Sequence, residues 1–394
     1  MSSDLPEPSH QPSSGDPFSD IPLFREIQRV LMSSSGPVNW ELARQVGMAV
    51  AASSGEDPPP GADDLRSFEE TVRAAELHVA QLTGLPQPAD VVKVEVVRRA
   101  QWVASAIAGL SDLVEPAAAR MGQAFSTMQL QEDEGEQLPP MAGAVLQQVV
   151  PLLLGAQAGT AFGVLAQRAL GAHEVPVPRP GPATLTFVMP NVAAFERDWS
   201  LPSVEFRAWT ALREVAYRFE FAGSWVREHL LVLLRDHAAN LTVDMHQLMD
   251  RLQGLDPTNP EALQDLMRQG DDLLAPQLDD EQRLQLARVQ SFLTAARGYA
   301  EHVTRVVGRT MLNASDRIEE AVRRGREGEA GDPVFERLLG VDMPRDRYEQ
   351  GERFCDAVAE LTDEATLARM WDSAESLPSK PELEEPSLWL ARIV

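Results

Sequence analysis

Apolar residues recur at steps of three and four along most of this chain, which is the spacing of helices with one buried face. The pattern predicts a mostly α-helical protein. Asp279 and Gln282 form a capping-box pair at the start of a long helix that is expected to break at Gly298. The predicted helices cover residues 21–33, 38–53, stretches near 64–83 and 89–128, 259–269 and 281–312.

The most apolar stretch, residues 141–167, carries no charged side chain. Gly155, Gly159 and Gly163 fall four residues apart, a spacing found where helices pack closely in membranes. Pro151 and four glutamine amides in the same stretch are costly in lipid, and no aromatic belts flank it. We therefore predict a helix hairpin in the core of a soluble protein and no stable membrane insertion.

Prolines at alternate positions within 175–191 exclude a helix there and favour an extended chain. The segment "TLTFVM" (184–189) is rich in β-branched residues and predicts a short strand. No alternation of strands and helices indicates a doubly wound sheet, and the phosphate-binding pattern G-x-x-x-x-G-K-[ST] does not occur. The expected fold class is mostly α, with a small β element near 184–189.

Local composition suggests how the chain is divided. Residues 1–19 are rich in Ser, Pro and Asp and predict a disordered tail. Stretches near 53–64, 130–140 and 323–333 combine Pro, Gly or acidic residues and predict linkers. No internal repeat is visible. We expect residues 20–394 to form a single domain.

The net charge of −25 at pH 7 argues against a nucleic-acid partner or an anionic membrane surface, since both attract basic patches. The single cysteine, Cys355, excludes an internal disulfide and a thiolate zinc site. The amino-terminal residues lack the basic and apolar regions of a secretory signal. These features are typical of a cytoplasmic protein.

One pentad in a predicted helix after the strand has the form of a zinc-peptidase motif without its ligands. In H-E-x-x-H, two imidazoles one turn apart hold the metal, and the glutamate takes a proton from the metal-bound water. Here the sequence reads R-E-V-A-Y, with Arg213 and Tyr217 at the histidine positions and Glu214 between them. Arg213 cannot coordinate zinc because its guanidinium keeps its proton. By itself, such a pentad is common in helices.

Longer stretches give the pentad context. They are "DIPLFREIQRVL" (20–31), "GPVNWELARQV" (36–46), "QVVPLLLGAQAGTAFGVLAQRALG" (148–171), "FVMPNVAAFERDW" (187–199), "GYAEHVTRVVG" (298–308), "RLLGVDMPRDRYEQGERFCDAV" (337–358) and "SLPSKPELEEPSLWLARIV" (376–394). Through them the chain resembles a family of actinobacterial zincin-like proteins labelled as putative hydrolases and often as zinc-dependent metalloproteases. Some members are labelled as associated with biosynthesis of the deazaflavin coenzyme. The resemblance implies a zincin-like helical domain over most of the chain, with zinc as the family's cofactor.

The same resemblance implies where a metal site would lie. In typical members the helix after the strand reads H-E-V-x-H, and a later helix carries E-G-H. The three ligand positions then correspond to Arg213, Tyr217 and Arg297, and Tyr299 stands at the later histidine. Only Glu214, the family's general base, is retained. The resemblance therefore implies a degenerate site without metal, in which Glu214 is vestigial and Tyr217 and Tyr299 are the remaining polar groups.

The histidines leave a relocated metal site open. No two of the seven lie three or four residues apart. His229 and His237 are two helical turns apart, about 12 Å at 1.5 Å per residue, which is too far for one ion. His302 and Glu301 lie one turn beyond Arg297. A weak site around His302 or His229 therefore remains an alternative to structural histidines.

Loss of the metal has an electrostatic consequence. A buried Glu214 without a cation is costly, so we expect Arg297, and after it Arg213, to supply the compensating charge. Tyrosine hydrogen bonds would complete the replacement of the metal bonds. The alternative is that both arginine side chains reach solvent.

These observations lead to one expected function and two alternatives. We expect a catalytically inactive protein of the metallopeptidase fold that binds a peptide or protein partner, with an extended chain pairing beside the strand 184–189. The first alternative is an active hydrolase with Glu214 as general base, assisted by Tyr217 or Tyr299, with an unrecognised metal site or none. The second is an acidic structural or assembly protein.

Overall fold

The computed structural model of the protein describes residues 36–131, 140–181, 184–239, 279–327, 341, 343 and 345–393. The predicted tail 1–19, the predicted helices 21–33 and 259–269, and most of the predicted linkers 130–140 and 323–333 lie outside these residues. The division into one tail and one domain therefore stays a prediction.

The described residues form a helical protein with a minimal sheet, which confirms the fold class. The first half contains α1 (Trp40–Ala52), α2 (Ala62–Thr83), β1 (Lys93–Val97), α3 (Arg99–Gln131), α4 (Pro140–Ala166), β2 (Thr184–Val188), α5 (Met189–Asp198) and α6 (Ser203–Glu220). The second half contains α7 (Ser224–Ala239), α8 (Asp280–Met311), α9 (Ser315–Glu327), α10 (Arg345–Leu361), α11 (Glu364–Ala368), α12 (Lys380–Glu384) and α13 (Pro386–Ile393). Short 3-10 turns occur at Ala172–Glu174, Arg369–Trp371 and Ala374–Ser376.

The sheet consists of β1 and β2, paired in parallel with Lys93 opposite Thr184 and Val97 opposite Val188. The predicted strand is thus confirmed over Thr184–Val188. The prediction of helix from residue 89 is wrong over β1, where the alternating sequence KVEVV has the period of a half-exposed strand.

The two strands differ in what covers their outer edges. Beyond β2, Gly171 forms an antiparallel bridge to Phe187, and the amide of Val188 donates to the carbonyl of Leu170. No other described segment pairs with β1, so its outer edge is open.

Residues 141–166 belong to one continuous helix, so the predicted hairpin within this stretch is wrong. The stretch packs against α1 instead, and the backbone of Asn39 donates to the carbonyl of Pro151 at 2.9 Å. A Cβ added at Gly159 or Gly163 would collide with α1, and one added at Gly155 would collide with Asn39 directly before α1, which explains the four-residue spacing of these glycines. No helix in the described part of the chain is both long and apolar enough to span a bilayer.

The helix α8 begins with the predicted capping box. The side chain of Asp279 accepts a hydrogen bond from the backbone amide of Gln282, and the side chain of Gln282 accepts one from the backbone amide of Asp279. The break expected at Gly298 does not occur. Gly298 instead lets the backbone of α10 approach at Gly351, where a side chain would leave no room.

The centre of the molecule is α6, which packs against α2 and α8. From Trp209 to Glu220 every residue of this helix is buried, although four of them are arginine or glutamate. Buried charges require partners, and these partners define the site.

Candidate functional site

The glutamate of the R-E-V-A-Y pentad is held by the 3-10 turn Ala172–Glu174. The carboxylate of Glu214 accepts from the backbone amide of Ala172 at 3.1 Å and from that of His173 at 3.1 Å. Its Oε2 also lies 2.8 Å from Nδ1 of His173. Glu214 is 1% exposed, so three hydrogen-bond donors replace the water it loses.

Gly171 makes this arrangement possible. A Cβ at this position would overlap the Glu214 carboxylate. The carbonyl of Gly171 accepts from the indole of Trp102 at 2.8 Å, which fixes the turn from the α3 side. The close approach of backbone to carboxylate is therefore built into the sequence at one glycine.

These contacts keep Glu214 ionised. Burial by itself raises the pKa of this carboxyl, but His173, through its charge and hydrogen bonds, together with Arg213, outweighs burial and lowers the pKa below its ordinary value. A carboxylate of lowered pKa is a weaker proton acceptor, which bears on its use as a base.

Arg213 bridges α6 to α8. Its Nε donates to Oε1 of Glu301 at 3.2 Å, and its Nη1 lies 3.9 Å from Oε1 of Glu214. Its guanidinium carbon also lies 5.3 Å from the ring centroid of Tyr217. Burial lowers the pKa of Arg213, but Tyr217 and the nearby carboxylates outweigh it, so the pKa is raised and the side chain stays cationic. At 3% exposed, Arg213 does not reach solvent.

Arg297 has a different role from the one expected. Its guanidinium lies over the ring of Tyr348, 4.1 Å from the centroid, in a cation–π contact with α10. Its charge also interacts with Glu301 and Tyr217 across the site. Among the described ion pairs, none joins Arg297 to Glu214. The expected order is thus reversed, since His173 is the first partner of Glu214 and Arg213 the nearer arginine.

The two tyrosines are buried and point to different neighbours. Tyr217 stacks on His173 with ring centroids 5.0 Å apart, and its hydroxyl has no hydrogen-bond partner. Tyr299 hydrogen-bonds to Thr83 of α2 and packs edge-on against Trp371 at 5.9 Å. Neither phenol therefore hydrogen-bonds to Glu214.

The side chains at the three expected ligand positions do not fit zinc. Arg213 is a buried cation that donates a hydrogen bond to Glu301, and the guanidinium of Arg297 is stacked on the ring of Tyr348. Tyr217 offers one oxygen whose pKa is raised, first by burial, so it resists becoming a phenolate ligand. Across the described ranges, no group of three or more His, Cys, Asp or Glu side chains is arranged to hold a metal ion.

The histidines considered for a relocated metal site, His302 and His229, contact carboxylates and aromatic rings of neighbouring helices. The two ring nitrogens of His302 face separate carboxylates, Asp356 at 2.6 Å and Glu364 at 3.1 Å, so they tie α8 to α10 and α11. His229 packs between the rings of Trp225 and Phe292. His173, which contacts the site directly, was missed by the sequence. Its only signal is its position two residues after Gly171, just before the proline-rich segment.

Comparison with known proteins places the chain in a family. The family model described as "Zincin-like metallopeptidase" matches residues 38–390. A solved structure from Chloroflexus aurantiacus, titled "Crystal structure of a putative hydrolase with a novel fold", is similar to this chain at 26% identity with a TM-score of 0.61. The similarity covers 90% of this chain and 98% of that one. A search of the curated proteins finds no match.

The match spans nearly all of the described residues and includes both helices of the site. On this basis the chain belongs to the zincin-like metallopeptidase family.

Proposed function

We propose that this protein is a zincin-like pseudoenzyme, which binds an extended peptide segment of a partner protein and does not hydrolyse it. The observation that carries the proposal is the position of Arg213. A fixed cation lies against Glu301, Glu214 and Tyr217, at the positions where the family's pattern calls for a metal and its ligands. A guanidinium supplies charge there but cannot polarise a carbonyl or activate water as a metal ion does.

A metal-free hydrolase has less support. Its base would be Glu214, but this carboxylate already accepts from two backbone amides and His173, and its pKa is lowered. Its acid would be Tyr217 or Tyr299, and Tyr299 is turned towards Thr83. The groups needed for general acid–base catalysis are therefore held apart.

The open edge of β1 is the surface that suits an extended peptide. Two grooves, of about 410 and 510 Å³, run beside this strand and share Val94. One is flanked by α2 and the chain before β1, the other by the starts of α2 and α3. Because β2 is covered on both edges, pairing beside 184–189 is replaced in this proposal by pairing on β1, where backbone groups are free to bind a new strand.

Selection of a library of linear decapeptides on the intact protein tests this function. We expect selected peptides to bind, to protect the amides of β1 from hydrogen exchange, and to remain uncleaved. Val94→Arg should weaken binding at least tenfold, whereas the control Val232→Arg, on the exposed face of α7, should not. Cleavage of the peptide would contradict the proposal. So would a peptide that protects amides outside β1 from hydrogen exchange and binds the Val94→Arg variant as tightly as the wild type.

A further inference from the structure

Glu220, the last residue of α6, is a buried carboxyl group without a partner. It is 1% exposed, and neither of its oxygens has a hydrogen-bond partner. This differs from Glu214, six residues earlier, which has three donors. An ionised carboxylate in such a place would lose its hydration without compensation.

The charges around Glu220 do not compensate it. Arg213 is the cation that acts on it, but the Nε of this arginine donates to Glu301, and the negative charge of Glu301 acts on Glu220 with the opposite sign. The other titratable groups that interact with this interior are Tyr217 on α6, Tyr299 on α8 and Cys355 on α10. For all three, burial raises the pKa, so they are neutral and supply no positive charge.

A metal ion is a poor counter-charge at this position. Within the described residues, Glu220 belongs to no cluster of three or more His, Cys, Asp or Glu side chains that is arranged for a metal. A proton balances the charge and needs no further ligands or space.

We propose that Glu220 is a proton-binding site of the folded protein, and that losing this proton weakens the packing of α6 against α8. The direction of its pKa agrees, because burial raises the pKa well above the ordinary value. In the unfolded chain the carboxyl has an ordinary pKa of 4.5. The stabilising contribution of the proton is therefore complete below that value and is lost as the pH rises towards the folded-state pKa.

Two measurements test this proposal. In the infrared spectrum at pH 7, the wild type should show the carbonyl band of a buried protonated carboxyl group, and Glu220→Gln should lack it. The thermal midpoint of Glu220→Gln should fall less than that of the wild type as the pH rises from 5 to 8. Glu228→Gln, which alters an exposed glutamate on α7, should follow the wild type in both measurements.

The infrared band of the wild type is informative even if Glu220→Gln does not fold. A wild-type spectrum at pH 7 without a protonated-carboxyl band would overturn the proposal. So would a thermal midpoint that sodium, magnesium or zinc ions raise in the wild type but not in Glu220→Gln, because the site would then hold a cation rather than a proton.

Discussion

At the scale of single residues, the site is defined by whether each buried charge has a partner. The pentad spacing correctly placed Arg213, Glu214 and Tyr217 on one helix, because residues four apart share a face. It could not reveal His173 or Glu301, which reach the site from 41 and 88 positions away in the sequence. Partners supplied by tertiary packing leave no periodic signal in the chain.

Arg213→Met tests the central ion pair. This change removes the cation but keeps much of the volume, and it takes from the buried Glu301 the guanidinium that lies 3.2 Å from its carboxylate. We expect it to reduce the free energy of unfolding by about 3–5 kcal/mol, the usual cost of breaking a buried pair from one side. Urea denaturation measures this value.

Arg235→Met, at an exposed position of α7, is the control and should change stability by less than about 0.5 kcal/mol. Adding Glu301→Leu to Arg213→Met should restore much of the loss, since replacing a whole buried pair by apolar groups is far less costly than breaking it. No recovery in the double variant would count against direct pairing.

The contacts of His302 with two carboxylates lead us to expect a second effect of pH on the stability of the protein. Burial lowers the pKa of His302, but the carboxylates of Asp356 and Glu364 outweigh burial and raise it above 6.5. The stabilisation is therefore complete below about pH 6.5 and is lost as the pH rises through the folded-state pKa. His302→Gln should be less stable than the wild type at pH 6, and the difference should shrink by pH 9.

Thermal unfolding across this pH range measures the effect. His78→Gln, at an exposed position of α2, serves as the control and should keep a constant difference from the wild type. A constant difference for His302→Gln as well would show that the imidazolium does not hold α8 to α10 and α11.

At the scale of secondary-structure elements, the sequence was informative where one pattern dominated. Helical periodicity and capping chemistry located α8, and β-branched residues located β2. The strand β1 was missed because a five-residue alternating segment lies directly before the long helix α3. Gly298 was misread because a glycine inside a helix pattern can mark either a break or a close contact, and only the position of α10 decides between them.

Gly159→Val tests the close packing of α4 on α1. The side chain would meet the backbone carbonyl of Ala43 and the side chain of Val46, and the facing helix cannot yield without moving as a unit. We expect the free energy of unfolding to fall by about 1–3 kcal/mol. Gly122→Ala on α3, where a Cβ meets nothing within 4 Å, should be neutral or slightly stabilising.

At the scale of the whole molecule, the fold agrees with the family, and the loss of the metal site is the part of the account that remains a proposal. The family match over residues 38–390 agrees with the helical class expected from the sequence. The sequence shows which residues stand at 213, 217 and 297, the positions that the resemblance assigns to ligands, but it does not show the buried contacts of these residues. We expected Arg297 to compensate the charge of Glu214, but its guanidinium lies over the ring of Tyr348 on α10, and His173 and Arg213 lie next to Glu214 instead.

Restoring the family's pattern tests whether these three positions converge. The triple variant Arg213→His, Tyr217→His and Arg297→Glu should bind one zinc ion per chain. Zinc at a hundredfold excess over its dissociation constant should stabilise it by about 2.7 kcal/mol. The double variant without the Arg297 change should bind zinc more weakly. A folded triple variant that does not bind zinc would show that the three positions do not form one site.

The metal content of the wild-type protein tests the central claim most directly. After purification in zinc-supplemented buffer and gel filtration, elemental analysis should find far less than one zinc per chain, and chelation should leave the thermal midpoint unchanged. This result is expected because Arg213 already supplies the positive charge between Glu301 and Glu214. One tightly bound zinc per chain, whose removal lowers the thermal midpoint, would contradict the account.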